Sequence, residues 1–131
     1  MTWFYENEPF ENPQEYWGFV YIIFDSVNNR KYIGKKQFYF KKTKTIKGKK
    51  KRYLVDSDWK TYFGSNLELN EQVKLNGEDK FTRTILKLCK SKSECSYYEI
   101  KYQLEFDVLL TDEYYNSWIS ARVTKKHLSK K

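Results

Sequence analysis

One carboxylate stands where an ordinary buried helix face would carry an apolar residue. A capping box, Ser91-x-x-Glu94, opens a predicted helix running to about Leu110. Cys95, Tyr98, Tyr102, Phe106 and Leu109 share one of its faces at i, i+3, i+7, i+11 and i+14 spacing. Glu99 lies inside that stripe, four residues after Cys95 and three before Tyr102, and Ile100, Leu104 and Val108 make the opposite side apolar too. A carboxylate so placed is costly unless it is paired, protonated or bound to a cation. A Glu hydrogen-bonded to a buried Tyr and a Glu holding a cation both satisfy the pattern. Glu105, four residues after Lys101, reads instead as half of a solvated ion pair.

The other residue types narrow the chemistry by elimination. The 131 residues include one His, His127, close to the C-terminus, which removes Ser-His-Asp and Cys-His arrangements and most zinc sites. Cys89 and Cys95, with five residues between them, suit neither a zinc knuckle nor a C-x-x-C redox pair and read as buried thiols. Any reaction must therefore be carried by Tyr, Lys, Arg, Asp or Glu.

Charge adds a second kind of surface. The net charge is +8, yet residues 30–52 hold twelve Lys or Arg and no acid, so the remainder, with thirteen basic against seventeen acidic residues, is negative. Residues 1–16 carry four Glu and no base, and residues 121–131 carry five bases and no acid. A cluster of lysines interleaved with Tyr32, Phe38, Tyr39, Phe40 and Tyr53 fits a polyanion-binding surface anchored to a fold better than a merely solubilising loop. An anionic membrane surface is the weaker alternative, because the segment lacks helical amphipathicity.

These residues need elements to position them. Residues 17–24 form a short aromatic and β-branched run expected as a buried central strand, residues 25–29 supply turn chemistry, and residues 31–40 read as the returning strand. A basic ribbon or loop is expected over 41–57 with its tip at Lys47-Gly48-Lys49. Residues 58–63 read as one or two helical turns ended by Gly64. Ser65 is the expected cap of a helix through Asn76 with Gly77 at its stop, and residues 80–89 read as a third strand. The expected organisation is an acidic N-terminal segment over 1–16, one α/β (α+β) domain over 17–120 and a basic tail over 121–131. No stretch approaches the ~20 apolar residues of a membrane span, and the first residues lack a signal-peptide pattern, so a cytoplasmic chain with no membrane partner is expected.

The hairpin carries a resemblance. Gly18-Phe19-Val20-Tyr21, ten intervening residues, and Tyr32-Ile33-Gly34 resemble the paired strands that name the GIY-YIG nuclease family. Trp59-Lys60 with Tyr62, a helix ending at Gly77, Phe81 opening a strand, a helix bearing Glu99, and Tyr115-Asn116 follow that family's order. The similarity covers about residues 17–119 and is nearest to the phage-encoded, homing-type branch.

The resemblance implies a small three-stranded antiparallel sheet flanked by helices, and a metal-dependent DNA endonuclease or nickase using Mg²⁺ or Mn²⁺. It assigns the metal to Glu99, the lining of the site to Tyr21 and Tyr32, a polar role to Tyr62 and a pinning role to Asn116. The family's phosphate-binding arginine falls on Asp58 here. Lys60, one turn away, is the expected replacement cation, with Lys35 and Arg52 as alternatives. Lys35, Lys36, Lys41, Lys42, Lys44, Lys47, Lys49, Lys50, Lys51 and Arg52 are expected to contact the nucleic-acid backbone. A homodimer or partner protein is the expected route to double-strand cleavage. The rival reading is a nucleic-acid-binding module that kept the fold and lost activity along with the arginine.

Overall fold

The computed structural model describes residues 2–119. His127 and the basic tail lie outside the described residues. The elements in order are β1 (Trp3–Tyr5), β2 (Glu8–Phe10), β3 (Gly18–Asp25), β4 (Arg30–Gln37), β5 (Tyr39–Ile46), β6 (Lys49–Asp56), α1 (Leu67–Asn76), β7 (Phe81–Cys89) and α2 (Lys92–Glu105), with single 3₁₀ turns at Trp59–Thr61 and Glu78–Lys80.

β3 is the centre of the main sheet, paired antiparallel to β4 on one side and to β7 on the other. Its alternation explains both layers. Phe19, Tyr21 and Ile23 point into one core with Phe38, Trp59, Phe63 and Leu69, while Val20 points into a second with Ile33, Cys89, Cys95 and Val108. A strand covered on both faces reads as a continuous apolar run. α2 lies on the second face, against β3, β4 and β7. Both cysteines are free and buried.

The mixed α and β class agrees with expectation, but the sheet has five strands, not three, in the order β2-β1-β7-β3-β4. Residues 3–10 supply the extra two, and β1 runs parallel to β7. The hairpin is held because Trp3, 2% exposed, donates its indole N–H to the Trp59 carbonyl oxygen at 2.7 Å and packs edge-on against Phe19 at 4.8 Å. Three-residue strands are too short to show alternation in a sequence.

Two helix ends also differ from expectation. Asn66, not Ser65, caps α1, its side-chain oxygen accepting the Leu69 N–H at 2.9 Å. α2 stops at Glu105, five residues early, because Asp107 adopts φ +53. There the Asp107 N–H donates to the Leu104 carbonyl (3.2 Å) and the Val108 N–H to the Gln103 carbonyl (3.1 Å). This is a Schellman ending with Asp in the place glycine usually takes, and it turns Val108 into the second core. Phe106 and Leu109 are left 42% and 47% exposed, so the stripe ends with Tyr102.

β5 and β6 pair only with each other, as a two-stranded ribbon. Its tip is the two-residue turn Lys47-Gly48, with φ of +50 and +78, the geometry that matches strand twist in tight hairpins. Phe38 and Trp59 pack at its root (5.0 Å, edge to face), and Ser57 closes it by donating its N–H to the Phe38 carbonyl and its hydroxyl to the Gln37 carbonyl.

The outer edge of β4 is occupied by residues 113–116. Lys31 donates to the Glu113 carbonyl (2.8 Å), and the Tyr115 N–H donates to the Lys31 carbonyl (2.7 Å). The Tyr115 hydroxyl then donates to the buried Asp25 carboxylate at 2.5 Å. Burial pushes the Asp25 carboxyl up, but hydrogen bonds from Tyr115, Asn28 and Val27 outweigh it and hold it below its ordinary 3.8. A carboxyl depressed in the folded state contributes stability that is complete above the unfolded value and is lost as pH falls through the folded one. Tyr115→Phe is therefore expected to lose ~1.5–3 kcal/mol of unfolding free energy at pH 7. Urea titrations should show the gap between mutant and wild type closing below pH 3.8; a gap independent of pH would place the loss elsewhere.

Candidate active site

Two glycines make room for two tyrosines. Tyr21 on β3 lies opposite Gly34 on β4. A Cβ at Gly34 would run into the Tyr21 hydroxyl and come within 3.0 Å of Tyr32 Cε2, and one at Gly64 (φ +88) would sit 3.2 Å from the Tyr21 hydroxyl and from the Tyr32 ring. The rings of Tyr21 and Tyr32 are 6.2 Å apart, and Tyr62 meets Tyr21 edge-on at 6.1 Å. The Tyr32 hydroxyl is 3.1 Å from that of Ser65, which is free for this contact because Asn66 caps the helix.

Burial pushes the Tyr21 hydroxyl well above the usual phenol range, and Tyr62, Tyr32 and Glu99 add to the rise. Burial also raises Tyr32 and Tyr62, with Ser65 opposing it in both. All three hydroxyls are thus protonated at neutral pH and act as neutral donors.

Glu99 lies across the same cavity of about 470 Å³, lined also by Tyr21, Tyr32, Lys35, Ser65, Gln103 and Asn116. It is half-buried, and among the described residues its carboxylate forms no hydrogen bond or ion pair. Of the two readings left open by the helix pattern, the Glu hydrogen-bonded to a buried Tyr does not hold. Burial lifts the Glu99 carboxyl above its ordinary value, and the positive charge of Lys35 opposes the rise. Lys35 points to α2, its ammonium donating to the Ser96 hydroxyl at 2.6 Å.

Asn116 is committed to backbone. Its side chain accepts the Ile33 N–H (3.0 Å) and donates to the Ile33 carbonyl (2.8 Å), which also accepts from Gln103 at 3.1 Å. Gln103 and Ser65 were not legible as site residues, since neither carries charge nor breaks a pattern.

Lys60, expected at this site, lines a different cavity with Trp3, Phe10 and Glu11, its ammonium 5.6 Å from the centre of the Trp59 ring. The lone 3₁₀ turn directs it away from the tyrosines. Lys36, expected to face nucleic acid, is paired with Asp58 at 2.5 Å and lies 4.1 Å over the Tyr62 ring. The Lys36 ammonium holds Asp58 below its usual range, against the opposing effect of burial. The remaining expected backbone contacts, Lys41, Lys42, Lys44, Lys47, Lys49, Lys50, Lys51 and Arg52, all lie exposed on the ribbon or its tip.

Arg83 is a site neighbour that sequence reasoning missed. It is fully buried in β7, donates to the Tyr62 carbonyl at 2.8 Å, and is held between the rings of Trp3 (4.6 Å) and Phe63 (4.5 Å). Burial lowers it to about 10, so it stays charged at neutral pH.

Among the described residues no group of three His, Cys, Asp or Glu converges on one point. Glu99 is the only carboxylate among the described residues that line the tyrosine cavity. A single carboxylate beside neutral oxygens does not fit zinc, whose protein sites draw on three or four His, Cys or carboxylate ligands. It does fit a hard ion such as Mg²⁺, which keeps most of its water and takes further ligands from substrate phosphate.

A family model described as "Putative endonuclease segE, GIY-YIG domain" matches residues 3–119. The chain belongs to the GIY-YIG nuclease family. No curated protein and no solved structure matches it. The match spans the N-terminal hairpin, the sheet, the ribbon and both helices, so every GIY-YIG motif residue named above falls inside it. GIY-YIG nucleases are in general metal-dependent enzymes acting on DNA. Among the described residues, no helix is long and apolar enough to cross a membrane.

The site's cost to the free fold can be measured. A carboxyl raised in the folded state destabilises it fully above the folded value, and the effect vanishes below the unfolded one, ordinarily 4.5 for Glu. In chelator at pH 7, Glu99→Gln is expected to melt above wild type, with the difference disappearing below pH 4.5. A lower melting point would show that the carboxylate has a stabilising partner. Gly34→Ala is expected to lose ~1–3 kcal/mol in urea unfolding, because the added methyl displaces both tyrosines.

Proposed function

We propose that this chain is a metal-dependent DNA endonuclease or nickase of the phage-encoded, homing-like kind. The observation that carries the reading is Glu99, a half-buried carboxylate with no hydrogen bond or ion pair among the described residues, facing two family tyrosines and a lysine across one cavity. When bound, a Mg²⁺ or Mn²⁺ ion on Glu99 supplies charge stabilisation to the phosphate and a more acidic water.

The protein's own groups do the rest. Asn116 and Gln103 fix the β4 backbone at Ile33, and Gly34 and Gly64 hold Tyr21 and Tyr32 against each other. One of those two residues orients the attacking water through its hydroxyl and, in its deprotonated phenolate fraction, accepts the water's proton to become a phenol, with Tyr62 behind Tyr21 and Ser65 beside Tyr32 as the next hydrogen-bond partner. Lys35 takes the part expected of Lys60, because it shares the cavity with Glu99 and can place its ammonium on a phosphate oxygen. The ribbon lysines contact the flanking backbone. A single site cuts one strand, so the first product is a nicked circle, and a double-strand break requires a second copy or a partner.

Incubation of supercoiled plasmid with Mg²⁺ or Mn²⁺ tests the reading. Nicking by wild type and none by Glu99→Ala, with DNA binding kept, is the expected result. No nicking under any divalent ion would favour the rival, a binding module that retains the fold. Lys35→Ala should lower the single-turnover rate at saturating DNA by ~10²-fold, more than Lys60→Ala; the reverse order would return the cation to the 3₁₀ turn. Tyr21→Phe and Tyr32→Phe should differ in effect, since only one can be the base.

The phenols start above 10, so the basic fraction grows tenfold per pH unit through the neutral range. The rate should accordingly rise with pH, without a plateau below about pH 9. A plateau near pH 7 would exclude an unassisted tyrosine as the base.

A further inference from the structure

The ribbon has two unlike faces. Residues directly opposite in an antiparallel pair share a face, and the register sets Lys41 with Leu54, Thr43 with Arg52 and Thr45 with Lys50 on one side. The other side sets Lys42 with Tyr53, Lys44 with Lys51 and Ile46 with Lys49. The second face offers only lysines as charged groups. The first places the ribbon's one arginine between two threonines and two lysines.

We propose that the ribbon enters the major groove of duplex DNA and that the Thr43, Thr45 and Arg52 face reads base edges, while the lysines of the other face reach the phosphates of the groove walls. The inference rests on the nuclease reading for its substrate and adds to it the element that chooses the sequence. Dimensions and charge both support it. Eight paired residues per strand span about 26 Å, and a two-stranded ribbon fits an undistorted major groove of about 12 Å, whereas a minor groove of about 6 Å would have to be widened by deforming the DNA. Neither face is covered among the described residues, and no acid lies between Lys41 and Arg52.

The free ribbon also carries an electrostatic cost. Lys44 stands directly across from Lys51, a like-charge pair that destabilises a sheet and that a polyanion relieves. Arginine is the side chain that pairs two-pronged with guanine O6 and N7, and threonine offers a hydroxyl and a methyl that suits thymine. Lysine on a phosphate contributes affinity without sequence information. The root continues β4, and only Phe38 separates the two strands, so the reading face stands at a set distance from Lys35 and the tyrosines.

The test is selection of bound duplexes from a randomised pool by the full chain carrying Glu99→Ala. The wild-type ribbon should enrich a site containing guanine. Arg52→Lys keeps the charge and loses the two-pronged contact. It should weaken the guanine preference roughly ten- to hundredfold and leave the slope of log K against log salt unchanged. Replacing Lys42, Lys44, Lys49 and Lys51 with Gln should flatten that slope by up to about four and leave the selected sequence the same. No enriched sequence, or an unchanged one in Arg52→Lys, overturns the proposal. Equal competition by double-stranded RNA or by anionic lipid vesicles does so too. Plasmid nicking by the chain with Glu99 intact is scored separately: sequence selection without nicking defeats the nuclease reading alone, and nicking without selection defeats this one alone.

Discussion

The peptide group entering Ile33 and the one leaving it carry three hydrogen bonds with side chains far away in the sequence, two with Asn116 and one with Gln103. β4 is the edge of the sheet, where unpaired N–H and C=O groups would otherwise face water or another chain. Closing that edge has a geometric result. Gln103 lies one helical turn after Glu99, so the bond that satisfies the edge also sets the depth of α2 against β4. Residues 113–116 are referenced to the same strand. One residue further on, Gly34 leaves the space that Tyr21 fills. The distance between carboxylate and phenols is thus governed by the backbone of a single strand, and no flexible loop intervenes.

Charge around the cavity is arranged by pairing. By its place in the family's order of motifs Asp58 falls where an arginine is expected, and alone it would repel phosphate. Lys36 cancels it and sits on the face of Tyr62. Arg83 is close but faces the core, wedged between aromatic rings, and its donation to the Tyr62 carbonyl makes it part of the frame behind the tyrosines. Among the described residues, what remains facing the cavity is one anion, Glu99, and one cation, Lys35. Lysine lacks the planar fork of arginine, so it can balance phosphate charge while fixing orientation less well.

The hairpin of β3 and β4, the strand β7, the start of α2 and the presence of a ribbon were legible because each rests on a local pattern: alternation, a capping box, or turn residues between basic runs. Glu99 was legible because it violates a pattern. The N-terminal hairpin was not, since its strands are three residues long and one contains Pro9. The end of α2 depends on Asp107 adopting a conformation that only the burial of Val108 makes favourable. Lys60 was expected at the site by its nearness along the chain to Asp58, yet a single 3₁₀ turn aims adjacent residues in different directions. Lys35 and Ser65 needed the fold, because nothing in sequence tells which lysine of Lys35-Lys36 points to α2 and which to Asp58; strand alternation sends them to opposite faces.

The free protein carries two unrelieved charges of opposite sign, an unpartnered carboxylate in the cavity and a ribbon of lysines facing one another. On the proposed reading their ligands differ, a divalent cation for the first and DNA for the second, and each would stabilise the fold by binding it alone. They also act in order. On that reading the ribbon holds duplex without metal, because its charges are exposed and none of them lines the cavity of Glu99. A phosphate gains less at the tyrosines than on the ribbon, since Glu99 and Lys35 leave the described lining of the cavity without net positive charge. A divalent cation held by Glu99 would make the cavity net positive and so favour entry of the phosphate. Binding and cleavage would therefore separate, with affinity set on the ribbon and commitment to chemistry set by the cation at Glu99.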